Sequence, residues 1–172
     1  MKNNQSIGKT KGLSAKLKLL WLTIFSMAGA WWFYEKLGYN SINIPIPGIE
    51  AIEVGIWYIP IFIFIIIATV NAVNFTDGLD GLASGLLILA FGAFGIIAYV
   101  KGLLILSALC AVISGANLAF LWFNVPPAHY YMGDTGSLAL GATLGVIAML
   151  TGQVLILPII GFIFVIEALS VI

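Results

Sequence analysis

The sequence predicts an all-α fold, a polytopic transmembrane helix bundle, and three observations predict it. Of its 172 residues, 62% are hydrophobic and only 8% charged, and the mean hydropathy is +1.13. Soluble domains carry roughly 25% charged residues, so a globule this poor in charge could not cover itself in water. Disorder is excluded too, because it needs low hydrophobicity and high charge. Apolar runs also recur at the length a helix needs to cross roughly 30 Å of hydrocarbon. Finally, the charges are unevenly placed: Lys2, Lys9, Lys11, Lys16 and Lys18, five of the seven lysines, precede the first apolar run, and there is no arginine.

Six runs follow in order, read as one integral membrane domain over 1–172. The first, Leu19 to Tyr34, begins like a secretory signal, with basic residues, an apolar core and Ala28-Gly29-Ala30. Trp31-Trp32-Phe33-Tyr34 follows directly and suits an interfacial belt, so the run is expected to stay as a span. The second runs from about Val54 to Val73 and the third from Leu82 to Val100. Lys101-Gly102 makes a tight break before the fourth, Leu103 to Phe123. Pro126-Pro127 stops that helix, since prolines remove donors and bias the preceding residue away from helix. The fifth goes from Ser137 to Leu150, and the sixth from Val154 to the end.

The basic segment 1–18 belongs in the cytoplasm by the positive-inside rule. Alternation then puts the 35–53 connection outside, with Ile42 to Gly48 as a short extended or hairpin segment, and Lys101 outside as a mild exception. The connections 74–81 and 124–136 both fall inside, so Asp77, Asp80 and Asp134 share one face. That result needs only span counting. Glu35, Glu50 and Glu53, in the outer connection, read as solvated charges.

Polar residues at the ends of uncharged spans carry the chemistry, because ionisable groups near hydrocarbon are costly and face a cavity or partner. Asn71 to Gly81 holds Asn71, Asn74, Asp77 and Asp80; the two asparagines are three apart and share a helix side, and Asp80 could cap the following span. The cluster reads either as a capped turn or as a ring of oxygen ligands at the membrane surface. In Tyr130 to Ser137, Asp134 stands between two glycines at the start of a span, where free backbone N–H groups favour phosphate. A carboxylate there repels phosphate unless a cation bridges them. That argues for Mg²⁺, which takes one or two carboxylates plus substrate phosphates. His129 has no second His or Cys nearby for zinc, and Cys110, alone in an apolar run, reads as a buried hydrophobe. Glu167 in the last run is either a paired structural carboxylate or part of an intramembrane site. Gly141 and Gly145, four apart, allow close helix approach.

Three stretches carry a family resemblance: Asn71 to Gly85 (NAVNFTDGLDGLASG), Tyr131 to Gly141 (YMGDTGSLALG) and Phe164 to Ile172 (FVIEALSVI), with Lys11-Gly12-Leu13-Ser14 at the opening. The chain resembles the polyprenyl-phosphate N-acetylhexosamine-1-phosphate transferases, and its last stretch resembles their muramoyl branch. The resemblance implies transfer of phospho-N-acetylmuramoyl-pentapeptide from UDP-N-acetylmuramoyl-pentapeptide to undecaprenyl phosphate, giving lipid I and UMP at the cytoplasmic face of the bacterial inner membrane. It implies Mg²⁺ as cofactor, Asp134 as metal-binding aspartate and Asn71 as a second metal contact. Asp77 and Asp80 are implied to line the catalytic cleft, Asn74, Asn124 and Tyr131 to surround the nucleotide, and Lys11 to meet phosphate. A homodimer is compatible with it, and no nucleic acid is involved.

The family carries an adjacent aspartate pair before the segment matching Lys11 and a histidine-rich motif after the last matching span; neither occurs here. Its members have about ten spans of bilayer-crossing length, so this chain is expected to be a fragment from the middle of that fold and not to turn over by itself. Three other readings remain: a related enzyme with a UDP-N-acetylglucosamine donor, a transporter using acids such as Glu167, and a non-catalytic membrane subunit.

Overall fold

The computed structural model describes residues 15–44 and 51–171. The described residues are predominantly helical. Helix α1 spans Ala15–Glu35, α2 Tyr58–Thr76, α3 Leu82–Val100, α4 Leu104–Asn124 and α5 Gly133–Leu150. Two short helices, α6 (Leu157–Ile160) and α7 (Phe162–Val171), follow. Between α1 and α2, strands β1 (Ser41–Ile42) and β2 (Ile52–Glu53) pair antiparallel, Ser41 opposite Glu53 and Ile42 opposite Ile52. Of the extended or hairpin segment expected over Ile42 to Gly48, only Ile42 lies in a strand, its partner Ile52 falls beyond that stretch, and 45–48 lies outside the described residues.

Among the described residues, four helices are long and apolar enough to cross a membrane: α2 with its preceding 3₁₀ turn, α3, α4 and α5. Helix α1 has 21 residues, enough length, but Lys16, Lys18 and four tryptophan or tyrosine rings make it less apolar. The sixth run differs from expectation. A 3₁₀ turn over Val154–Ile156 leads into α6, which has Pro158 in its first turn and ends at Gly161 before α7 starts. Proline suits a helix start and glycine a helix end, so a stretch that reads as one apolar run folds as pieces.

Helix α2 is the centre, packed by α1, α5 and α7, while α4 lies mainly on α3. The α2–α5 seam is close because α5 presents glycines. A Cβ on Gly141 would stand 2.8 Å from Val70 Cα and 2.9 Å from the Thr69 carbonyl oxygen. One on Gly145 would meet Thr69 Oγ1 at 2.7 Å. Small residues that let backbones touch are how helices associate in lipid, where no hydrophobic force draws them together. Cys110 is fully buried against Gly95, as a small hydrophobe.

The far end of the bundle is tied by polar links. Tyr39 Oη donates to the Leu150 carbonyl (3.3 Å) and Lys101 Nζ to that of Thr151 (2.8 Å). Lys101, the exception to the charge rule, thus satisfies a carbonyl at the negative end of α5.

Candidate functional site

At the other end the termini of five helices converge: the starts of α1, α3 and α5 and the ends of α2 and α4. Two loops cross it, 77–81 and 125–132, shorter than the sequence suggests because α2 continues through Asn74 to Thr76 and α5 begins at Gly133. Asn74 therefore has a helical backbone to hold it. Its Nδ2 donates to Asp134 Oδ1 at 3.0 Å and to Ser137 Oγ at 2.8 Å. Ser137 is fully buried and donates onward to the Gly133 carbonyl at 3.1 Å. This chain pins the first turn of α5 to the last turn of α2.

Asp134 itself is exposed, with Oδ1 on Asn74 and Oδ2 in an ion pair with Lys18 Nζ from the start of α1. Asp77, at the end of α2, lies close enough to Asp134 to feel its charge. Burial pushes the Asp77 carboxyl above the usual range; the Gly133 N–H works against that and the Asp134 charge adds to it. Two carboxylates thus share one small region with a lysine, an amide and the first turn of α5.

Asp80, which by sequence could cap α3, does not. The cap position is Gly81, at φ +77°, with no side-chain hydrogen bond. A left-handed backbone there favours glycine, and it turns Asp80 toward the opposite loop, where Oδ2 accepts from the Ala128 N–H (3.1 Å). Asn124, the last residue of α4, is buried. Its Oδ1 accepts from the Gly81 N–H and from Ser84 Oγ, both at 3.0 Å, and its Nδ2 donates to the Tyr130 carbonyl at 2.9 Å. Asp80 and Asn124 therefore stitch the two loops together.

Of the remaining candidates, Tyr131 is exposed beside Asp134's turn. Asn71 lies one helical turn deeper than Asn74; its Nδ2 donates to the Ile67 carbonyl (2.7 Å) and no bond joins it to Asp134. Lys11 lies outside the described residues. Glu167 has no ion-pair partner among the described residues, which leaves its paired-carboxylate reading without support. Nor do three or more His, Cys, Asp or Glu gather as a metal cage among them. Magnesium does not need one, since one or two carboxylates with substrate phosphates suffice; Asp134, with Asp77 near it and the Asn74 amide against it, fits that donor set.

Lys18 and Ser137 were not picked out by sequence reasoning. Lys18 served there only as a topology marker. A lysine in the first turn of a span, on the face that bears the acids, was the available signal.

With this geometry in view, the relatives are informative. The family model of glycosyl transferase family 4 matches residues 8–152. The chain belongs to that family. It is 43% identical over 170 residues to a phospho-N-acetylmuramoyl-pentapeptide-transferase of Chloroflexus aurantiacus, covering 96% of this chain and 46% of the relative. It is 46% identical over 164 residues to one of Clostridium perfringens, covering 95% and 50%. The chain thus spans about half the length of the curated relatives it matches. The matched residues include the whole of the polar end described above.

Proposed function

We propose that the protein transfers phospho-N-acetylmuramoyl-pentapeptide from its UDP carrier to undecaprenyl phosphate, forming lipid I and UMP, with Mg²⁺ at a site on the cytoplasmic face of the bacterial inner membrane. One observation carries the reading: an exposed carboxylate, Asp134, braced by Asn74 and Lys18 at the start of α5, at the end of an apolar bundle. The names of the relatives agree with it.

The chemistry suits these parts. An anionic lipid phosphate must attack a diphosphate, so charge repulsion is the main obstacle, and positioning with charge neutralisation is most of what such a reaction needs. Mg²⁺, when bound, supplies Lewis-acid neutralisation of the phosphate oxygens. Asp134 is the residue to hold it, with Asp77 close by and Asn71, whose amide nitrogen is already engaged with its own helix, as a secondary contact. Lys18 is then free to exchange a carboxylate oxygen for a phosphate oxygen. The first-turn amides of α5 after Gly133, which have no partner within a helix, can donate to a further one. Asn74 keeps Asp134 oriented while that exchange happens. Apolar helices hold the lipid acceptor and the exposed loops meet the soluble donor.

The test is a transfer assay on the purified chain in detergent with Mg²⁺, undecaprenyl phosphate and labelled UDP-N-acetylmuramoyl-pentapeptide. Metal-dependent lipid product that disappears in Asp134→Ala supports the reading. Product indifferent to both chelator and Asp134→Ala overturns it. Running UDP-N-acetylglucosamine beside the muramoyl donor separates the two donor classes.

A further inference from the structure

The two carboxylate oxygens of Asp134 are held by groups of different kinds. Oδ1 accepts from Asn74 Nδ2 at 3.0 Å, and the same nitrogen is anchored on the buried Ser137 hydroxyl at 2.8 Å. That side is fixed to α2. Oδ2 is paired with Lys18 Nζ, from the first turn of α1, and this is the one ion pair among the described residues. The Lys18 side chain is 29% exposed and that of Asp134 55%. Solvent reaches both, and pairs of this kind are weak. Lys16, one residue removed on the same helix, is exposed and takes no part in an ion pair among the described residues. The nearby acids offer Lys18 little in exchange, since Asp80 Oδ2 already accepts from the Ala128 N–H and Asp77 is half-buried beside Gly133.

From this geometry we infer that Lys18 is a competing counter-ion for the Asp134 oxygen that a divalent cation needs, so that cation and phosphate bind here better together than either binds alone. The inference rests on the reading above that Asp134 holds Mg²⁺. An ammonium and a divalent cation on one carboxylate oxygen repel each other, so Lys18 has to leave Oδ2 before a cation takes it. If the cation comes alone, the ammonium loses its anion. If a phosphate comes as well, the ammonium moves onto a phosphate oxygen, which a point charge on a flexible four-carbon stem does readily. The coupling is reciprocal: whatever factor phosphate adds to the affinity for the cation, the cation adds to the affinity for phosphate. Asn74 holds Oδ1 throughout, which confines the exchange to one oxygen.

The experiment measures Mn²⁺ binding to the full chain in detergent, by the electron paramagnetic resonance of free Mn²⁺, with and without UMP. Lys18→Met should bind Mn²⁺ alone several-fold more tightly than the unaltered chain, a modest factor because the pair is exposed. UMP should tighten Mn²⁺ binding several-fold in the unaltered chain and clearly less in Lys18→Met. Lys18→Arg keeps a cation for Asp134 and should behave as the unaltered chain does. Lys16→Met removes the same charge from outside the pair and should leave Mn²⁺ affinity unchanged at about 0.15 M salt, where exposed charges are largely screened. Mn²⁺ affinity equal or weaker in Lys18→Met, with binding still abolished by Asp134→Ala, overturns this inference and leaves the proposed function standing. Equal tightening in Lys16→Met overturns it too, because the effect would then be one of general charge. So does a UMP effect undiminished in Lys18→Met. Mn²⁺ binding that is absent throughout, or indifferent to Asp134→Ala, overturns the proposed metal site itself and the inference with it.

Discussion

Asn124 and Asp134 begin the comparison that explains this end of the molecule. Both are short polar residues at a helix terminus, ten positions apart, and both were expected at the site. Asn124 is buried and engaged on both sides of its amide, by Gly81, Ser84 and Tyr130. Asp134 is exposed, and one of its two partners is a lysine on a flexible stem. Buried polar groups with every partner in place rigidify and specify a structure, whereas an open carboxylate with an exchangeable counter-ion can accept a new one. One loop junction is thus a fixed floor and the other a working surface, and the difference lies in burial, not in residue type.

The largest expected effect breaks the working surface. Asp134→Asn should lower transfer by about 10²–10³-fold, the range seen when one transition-state charge stabiliser is removed. Because the residue is exposed, thermal stability in detergent should move little. Asn124→Ala should do the reverse, leaving the Gly81 N–H, the Ser84 hydroxyl and the Tyr130 carbonyl without their partner. At about 1 kcal/mol for each net hydrogen bond, and more for any group left unsatisfied, the loss is about 3 kcal/mol, read by chemical unfolding. A variant with normal stability and lost transfer would move Asn124 to the working surface and collapse the comparison. Gly141→Ala comes next: its methyl would meet backbone at 2.8 and 2.9 Å, and overpacking costs about 1–3 kcal/mol. Gly145→Ala should cost less, since the two nearest groups there, Thr69 Oγ1 and Ile66 Cδ1, belong to side chains and not to backbone. If both are equal, the seam is softer than its backbone contacts indicate.

Much of this end was legible in the sequence because counting spans needs only hydropathy. Alternation put Asp77, Asp80 and Asp134 on one face, and the structure brings those loops together. Gly141 and Gly145, four apart, announced the seam. What could not be read depended on long-range partners. Lys18 meets Asp134 across 116 positions of sequence, and no local pattern links the two. Asn124's burial is set by how α3 begins, and Asp80's failure to cap follows from the left-handed Gly81 beside it. The broken last run was visible as Pro158 and Gly161, yet hydropathy averages across both.

The smallest expected effect sharpens the comparison by coupling its working side to pH. Burial, with the Asp134 charge added, raises the Asp77 carboxyl above its ordinary value. A carboxyl whose folded-state pKa is raised binds its proton more tightly in the folded chain. Its contribution to stability is therefore complete below the unfolded value, about 3.9, and is lost as pH rises through the folded one. Stability of the unaltered chain should accordingly fall over that interval, and Asp77→Asn should flatten the fall, as followed by thermal unfolding across a pH series. Asp134→Asn should only narrow the interval from above, because it removes the neighbouring charge and leaves the burial. Asn124→Ala is placed to affect overall stability and not this profile. If Asp134→Asn left the interval untouched, the two carboxylates would be electrically independent, and Asp77 would belong with the fixed floor.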